Sequence, residues 1–112
     1  MNNPIVDKTF QFSLDVITFC EILEGSKKFV VANQLLKSGT SIGANVVEAQ
    51  NAESKADFIH KMKIAAKEAN ETNYWLRICK FAPSYPESDK LLELINEIGK
   101  ILTKIIATSK SK

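Results

Sequence analysis

Apolar residues three and four positions apart recur through four successive stretches of this 112-residue chain, and only an α-helix gathers residues so spaced onto one face. The first stretch carries two such stripes, Phe10, Leu14 and Ile17 beside Phe12, Val16, Phe19 and Leu23. A monomeric bundle needs one core-facing stripe, so the doubled width predicts contact with another subunit. This helix is expected over about 8–24, with Asp7 as its N-cap and Gly25 as its left-handed stop.

In the second stretch Val31, Leu35, Ile42, Val46 and Ala49 keep one phase, which predicts a helix over about 27–51. Its weak point is SGTSIG, residues 38–43, where each Gly costs roughly 1 kcal/mol of helix propensity. A break there is the alternative, but the apolar phase survives the crossing and favours one helix. Gly39 and Gly43 share a helix face, and their missing side chains let another backbone come close. Ala65 and Ala69 of the third stretch are the expected counterpart. As a phosphate cradle, SGTSIG lacks the Gly-Lys-Ser/Thr ending and a preceding strand, so packing is its expected role.

Ser54 and Asp57 resemble a capping box opening a third helix over about 55–81, whose inner line reads Phe58, Met62, Ala65, Ala69, Thr72, Leu76 and Cys79. PSYP, residues 83–86, breaks it, because proline cannot continue a helix. Ser88 or a neighbour caps the fourth, over about 88–108, with Leu91, Ile95, Ile98, Leu102 and Ile105 on one line and Leu94, Ile101 and Ile106 widening it. Short joints make consecutive helices antiparallel neighbours. The expected fold is all-α, a single-domain, antiparallel up-and-down four-helix bundle.

No stretch approaches the roughly 18 apolar residues of a membrane span, and the N-terminal residues lack the pattern of a signal peptide. A soluble cytoplasmic protein is expected, without a membrane partner, and with Cys20 and Cys79 as free thiols in apolar surroundings.

The chain has one histidine, His60, at i+3 from Asp57. A di-iron bundle needs that carboxylate–His pair twice, and triad chemistry needs a histidine base with partners. Glu68 and Glu71 would act as acid and base only if their surroundings split their pKa values. Together with Asn45 and Glu48 they are expected to hydrogen-bond between helices. No catalytic residue, cofactor, metal or small-molecule substrate is therefore expected, and the chain reads as a non-enzyme.

The net charge is only +2, yet residues 55–112 hold eleven basic side chains against seven acidic ones. The basic set is fourteen Lys with Arg77 alone, which suits diffuse attraction to phosphate and not readout of base edges. The candidate nucleic-acid contacts are Lys61, Lys63, Lys67, Arg77 and Lys80. Tyr74, Trp75 and Phe81 stand beside them and could stack bases, although aromatic residues at a helix end more often fill a core or a subunit interface. Lys100, Lys104, Lys110 and Lys112 make the C-terminal stretch basic and complement the helix dipole.

Residues 38–78, SGTSIGANVVEAQNAESKADFIHKMKIAAKEANETNYWLRI, resemble the four-helix bundle family also called 23S ribosomal RNA intervening-sequence proteins. Ser41, Ile42, Asn45, Glu48 and Ala49 stand at its helix-two motif, and Phe58, Ala65 and Glu71 at its helix-three motif. With Gly39 and Gly43, the residues Asn45, Glu48 and Glu71 are then structural. The resemblance implies a bacterial cytoplasmic bundle, often a ring of five subunits, with no accepted catalytic residues. A similar, strongly basic retroelement accessory protein binds nucleic acid. Two functions follow as expectations: a homo-oligomeric scaffold for other proteins, or an RNA- or DNA-binding accessory protein whose lysines contact phosphates.

Overall fold

The computed structural model describes residues 3–111, which fold into α1 (Pro4–Gly25), α2 (Phe29–Gln50), α3 (Lys55–Phe81) and α4 (Asp89–Lys110). Each helix packs on its neighbour in sequence, and α1 closes the ring against α4. The chain is an antiparallel up-and-down bundle of 47 × 23 × 20 Å. Phe12, Val16, Leu35, Ile42, Met62, Leu76, Ile98 and Leu102 are almost wholly buried along its axis. Burying each such apolar side chain stabilises the fold by about 1.5–3 kcal/mol.

Both ends of α1 differ from expectation. The helix starts at Pro4 with Asn3 at the N-cap, and the Asp7 amide donates to the Asn3 carbonyl at 3.1 Å. Asp7 therefore lies in the first turn and does not cap it. Proline is harmless at the first helical position, whose N–H has no partner anyway, and buried Ile5 extends the core line by a turn. At the other end Gly25 is the last helical residue and has no positive φ; Lys27 is left-handed, at φ 63°. The Lys28 amide donates to the Leu23 carbonyl at 2.8 Å and the Lys27 amide to Glu24 at 2.9 Å, the paired bonds of a Schellman end.

Helix α2 runs unbroken through residues 38–43 because its buried face is continuous from Leu35 through Ile42 to Val46, and the hydroxyls in between are satisfied by bonding back to the helix. Thr40 Oγ1 donates to the Leu36 carbonyl and Ser41 Oγ to Lys37, each at 2.7 Å. The glycines, however, face α1 and not Ala65 and Ala69. A Cβ on Gly43 would lie 3.3 Å from the Thr9 carbonyl oxygen, and one on Gly39 would lie 2.9 Å from Val16 Cγ1. Adjacent helical positions point about 100° apart, so Ser38 faces α3 while Gly39 faces α1. There the Ser38 and Thr72 hydroxyls meet at 2.9 Å, and Thr72 Oγ1 lies 2.8 Å from the Glu68 carbonyl.

The start of α3 is as expected: Ser54 Oγ accepts from the Asp57 amide at 3.0 Å, and Asp57 Oδ2 accepts from the Glu53 amide at 3.3 Å. Ser88 occupies the N-cap position of α4 but does not cap with its hydroxyl. That group is buried and donates to the Leu76 carbonyl at 2.9 Å, pinning the loop to α3, while the Asp89 amide turns to the Glu87 carboxylate. Cys20 and Cys79 are free and buried. Lys112 lies outside the described residues. No helix is long and apolar enough to cross a membrane, among the described residues.

Candidate functional site

Helices α3 and α4 meet along a polar seam. Asn73 Nδ2 donates to Asn96 Oδ1 at 2.9 Å, joining the two helices at mid-length. Beside this bridge an open cleft of about 670 Å³ is lined by Ala69, Asn70, Asn73, Gly99, Lys100 and Thr103. A second, of about 690 Å³, is lined by Asn73, Arg77, Lys80, Phe81, Asp89 and Asn96. The two share Asn73 and Asn96, so they are the halves of one groove. Its floor is low because Gly99 has no neighbour: a Cβ there would meet no atom within 4 Å.

The structure separates the five candidate nucleic-acid contacts. Lys61 faces α2, where its ammonium is 3.0 Å from a Glu48 carboxylate oxygen; that hydrogen bond and the opposite charge raise its pKa. Arg77 and Lys80 line the groove, with the Lys80 ammonium 3.2 Å from Asp89 and 5.7 Å from the Phe81 ring centroid. Lys67 is exposed on α3. Lys63 lies close to Lys110 of α4; two ammonium groups facing each other, donors both, with like charge, push the Lys63 pKa below its ordinary value. Two cations brought near each other across a seam repel, and an anion between them would relieve that repulsion.

The polar network expected around Asn45 and Glu71 is largely local. Asn45 Nδ2 donates to the Ser41 carbonyl at 2.9 Å, and Glu71 accepts from Trp75 Nε1 at 3.3 Å, each within its own helix. Glu48 alone of the four crosses helices, through Lys61; the buried interhelical polar pair is Ser38 with Thr72. Asp57 is engaged at the start of α3, and no three His, Cys, Asp or Glu side chains are grouped to hold a metal among the described residues.

Of the aromatic cluster, Trp75 packs against the core and Tyr74 meets it edge-on at 5.3 Å. Tyr74 and Phe81 are 56% and 74% exposed, so neither fills the core of this chain. Sequence reasoning missed Asn70, Asn73, Asn96 and Thr103, and assigned Lys100 and Lys104 to the dipole alone. A signal was present: Asn70, Asn73 and Arg77 each follow a core residue of α3 by one position, as Asn96, Gly99 and Thr103 do in α4.

The α1–α2 side of the bundle, opposite this groove, is apolar outside as well as inside. Phe10, Leu14 and Ile17 on α1 are 63%, 43% and 39% exposed, and Val47 of α2, one turn beyond Gly43, is also exposed.

The sequence profile described as 23S rRNA-intervening sequence protein matches residues 1–104. Among solved structures, the chain is similar to a protein of unknown function from the S23 ribosomal protein family of Bacteroides thetaiotaomicron. The two are 41% identical, with a TM-score of 0.87, over 91% of this chain and 97% of the other. No match was found among curated proteins.

Proposed function

This chain belongs to the 23S rRNA-intervening sequence protein family, and from that membership we propose that it is a non-enzymatic, cytoplasmic, homo-oligomeric bundle that serves as a scaffold for other molecules. The observation that carries this reading is the outer stripe of α1. Phe10, Leu14 and Ile17 leave a continuous apolar line in water after the core is complete, and a second subunit would cover it. A ring of five is the arrangement favoured by family resemblance. Light scattering on the purified 12.5 kDa chain should give a mass several times larger, and Phe10→Glu with Leu14→Glu should reduce it to one subunit while helicity persists. A stable wild-type monomer at micromolar concentration rejects the scaffold assembled through α1.

A second reading, a nucleic-acid accessory protein, is favoured by the Lys63–Lys110 contact and the groove beside it. Lysine contacts to phosphate would bind without sequence preference, and a ring would repeat them around one axis, adding avidity. Its test is a salt titration of binding. Each duplex phosphate neutralised contributes about −0.9 to the slope of log affinity against log salt. Lys63→Glu should flatten the slope, whereas Lys61→Glu should leave it nearly unchanged because Lys61 already serves Glu48. Equal effects of the two variants reject the groove as the phosphate track.

A further inference from the structure

We propose that one stripe of α3 is a binding track for single-stranded nucleic acid, with bases stacked on Tyr74 and Phe81 and phosphates held by the cations between and beside them. The proposal rests on the nucleic-acid reading and specifies which form of nucleic acid is bound and by which groups.

Lys63, Lys67, Asn70, Tyr74, Arg77 and Phe81 follow one another at intervals of four and three, the spacing of a single helical line. All six are exposed, and none is acidic. From Lys63 to Phe81 the line rises about 27 Å, at about 1.5 Å per residue. One end is cationic, where Lys63 meets Lys110; the other carries two rings with Arg77 between them and the Lys80 ammonium 5.7 Å from the Phe81 centroid. Of the nearby carboxylates, Glu71 is engaged by Trp75 within α3, Asp89 pairs with Lys80 beside the track, and Glu93 lines the Arg77 end of the groove.

Over Tyr74, Arg77 and Phe81 ring and cation alternate, as flat bases and phosphates do along a single strand, and Lys63 and Lys67 continue the line for further phosphates. Stacking on an aromatic ring is tolerant of base identity, because every base has a π-face. A duplex cannot use the rings, since its bases are already stacked against one another, and offers the track only its phosphates. An acidic peptide would use the lysines but leave both rings without a flat partner. Neither ring is needed to complete the core, which is closed without them.

The test uses the intact chain in its native assembly state, with a labelled deoxythymidine oligomer and a random-sequence duplex of equal length, titrated by fluorescence anisotropy at several salt concentrations. The single strand should bind at least about tenfold more tightly. Phe81→Leu and Tyr74→Leu, which keep apolar bulk and remove the ring, should each weaken the single strand by about fivefold or more, as loss of one stacked base implies. Duplex binding and the salt slope should not change. Phe81→Trp should restore affinity. Equal affinity for both forms, insensitive to the Leu variants, overturns the track while leaving phosphate binding in place. A changed subunit number in the Leu variants also overturns it, because the rings would then be covered by another copy. No binding of either form by the wild type at about 50 mM salt overturns the track together with the nucleic-acid reading on which it rests.

Discussion

The α1–α2 seam and the α3–α4 seam are both helix pairs with glycine at the contact, yet they are built in opposite ways. At the first, Gly43 stands where a Cβ would press on the Thr9 backbone, Gly39 receives Val16, and the surface outside carries exposed apolar residues. At the second, Gly99 meets nothing, an asparagine bridge ties the helices, and the surface outside is polar and basic. A missing side chain closes a seam when a small residue or backbone stands opposite and opens one when flanking polar groups hold the helices apart. The bundle thereby gains one side suited to lying against another copy of itself and one suited to a solvated, charged ligand.

The largest effect expected is at the closed seam. Gly43→Val forces a branched side chain against the Thr9 backbone and should destabilise the fold by about 2–3 kcal/mol, with Gly43→Ala milder. A denaturation midpoint reads it, and an unshifted midpoint for Val breaks the contrast outright. Next comes the tie that attaches α3 to the closed half. Thr72→Val leaves the buried Ser38 hydroxyl with only a 3.5 Å contact to the Leu35 carbonyl, and should cost about 1–2 kcal/mol in the same assay. At the open seam the sign reverses: Gly99→Ala should stabilise by up to about 1 kcal/mol, through helix propensity in unoccupied space. A loss there means that the groove is closer-packed than the α1–α2 contrast requires. Asn73→Ala, removing a solvent-exposed bridge, should cost least, about 0.5 kcal/mol, and a much larger loss would make the open seam as structural as the closed one.

The fold was legible because the apolar phase is continuous and its breaks are chemically plain. Helix α3 ends at the residues its capping box and PSYP indicate. Boundaries set by compensation were not legible. Nothing local shows that Lys27 will take a left-handed conformation two residues after an available glycine, or that Ser88 will donate to Leu76 in preference to capping α4. The Gly39–Gly43 pair was recognisable as a close approach, but its partner depends on which way α2 is turned, a difference of one residue in phase. The candidate site was half legible. Lysines can be counted from sequence, but the diversion of Lys61 to Glu48 and the gathering of Lys63 with Lys110 depend on helix neighbours. For Tyr74 and Phe81 the sequence left base stacking, core and subunit interface open, because an aromatic residue beside a core line can turn either way.

The two buried thiols have a consequence for how this protein ages. Burial, helped by the Glu24 charge, pushes Cys20 up to about 12, and burial pushes Cys79 up to about 11. The thiolate is the form that reacts with oxidants, alkylating agents and disulfides, and each unit of pKa reduces its population about tenfold. At neutral pH the folded chain therefore holds both sulfurs in a nearly inert state, and damage proceeds through molecules that have opened. The rate at which the thiols are consumed becomes a clock for opening of the bundle. Because Cys20 Sγ lies 3.4 Å from the Ala32 carbonyl, inside the closed seam, the Cys20 clock reports the parting of α1 from α2.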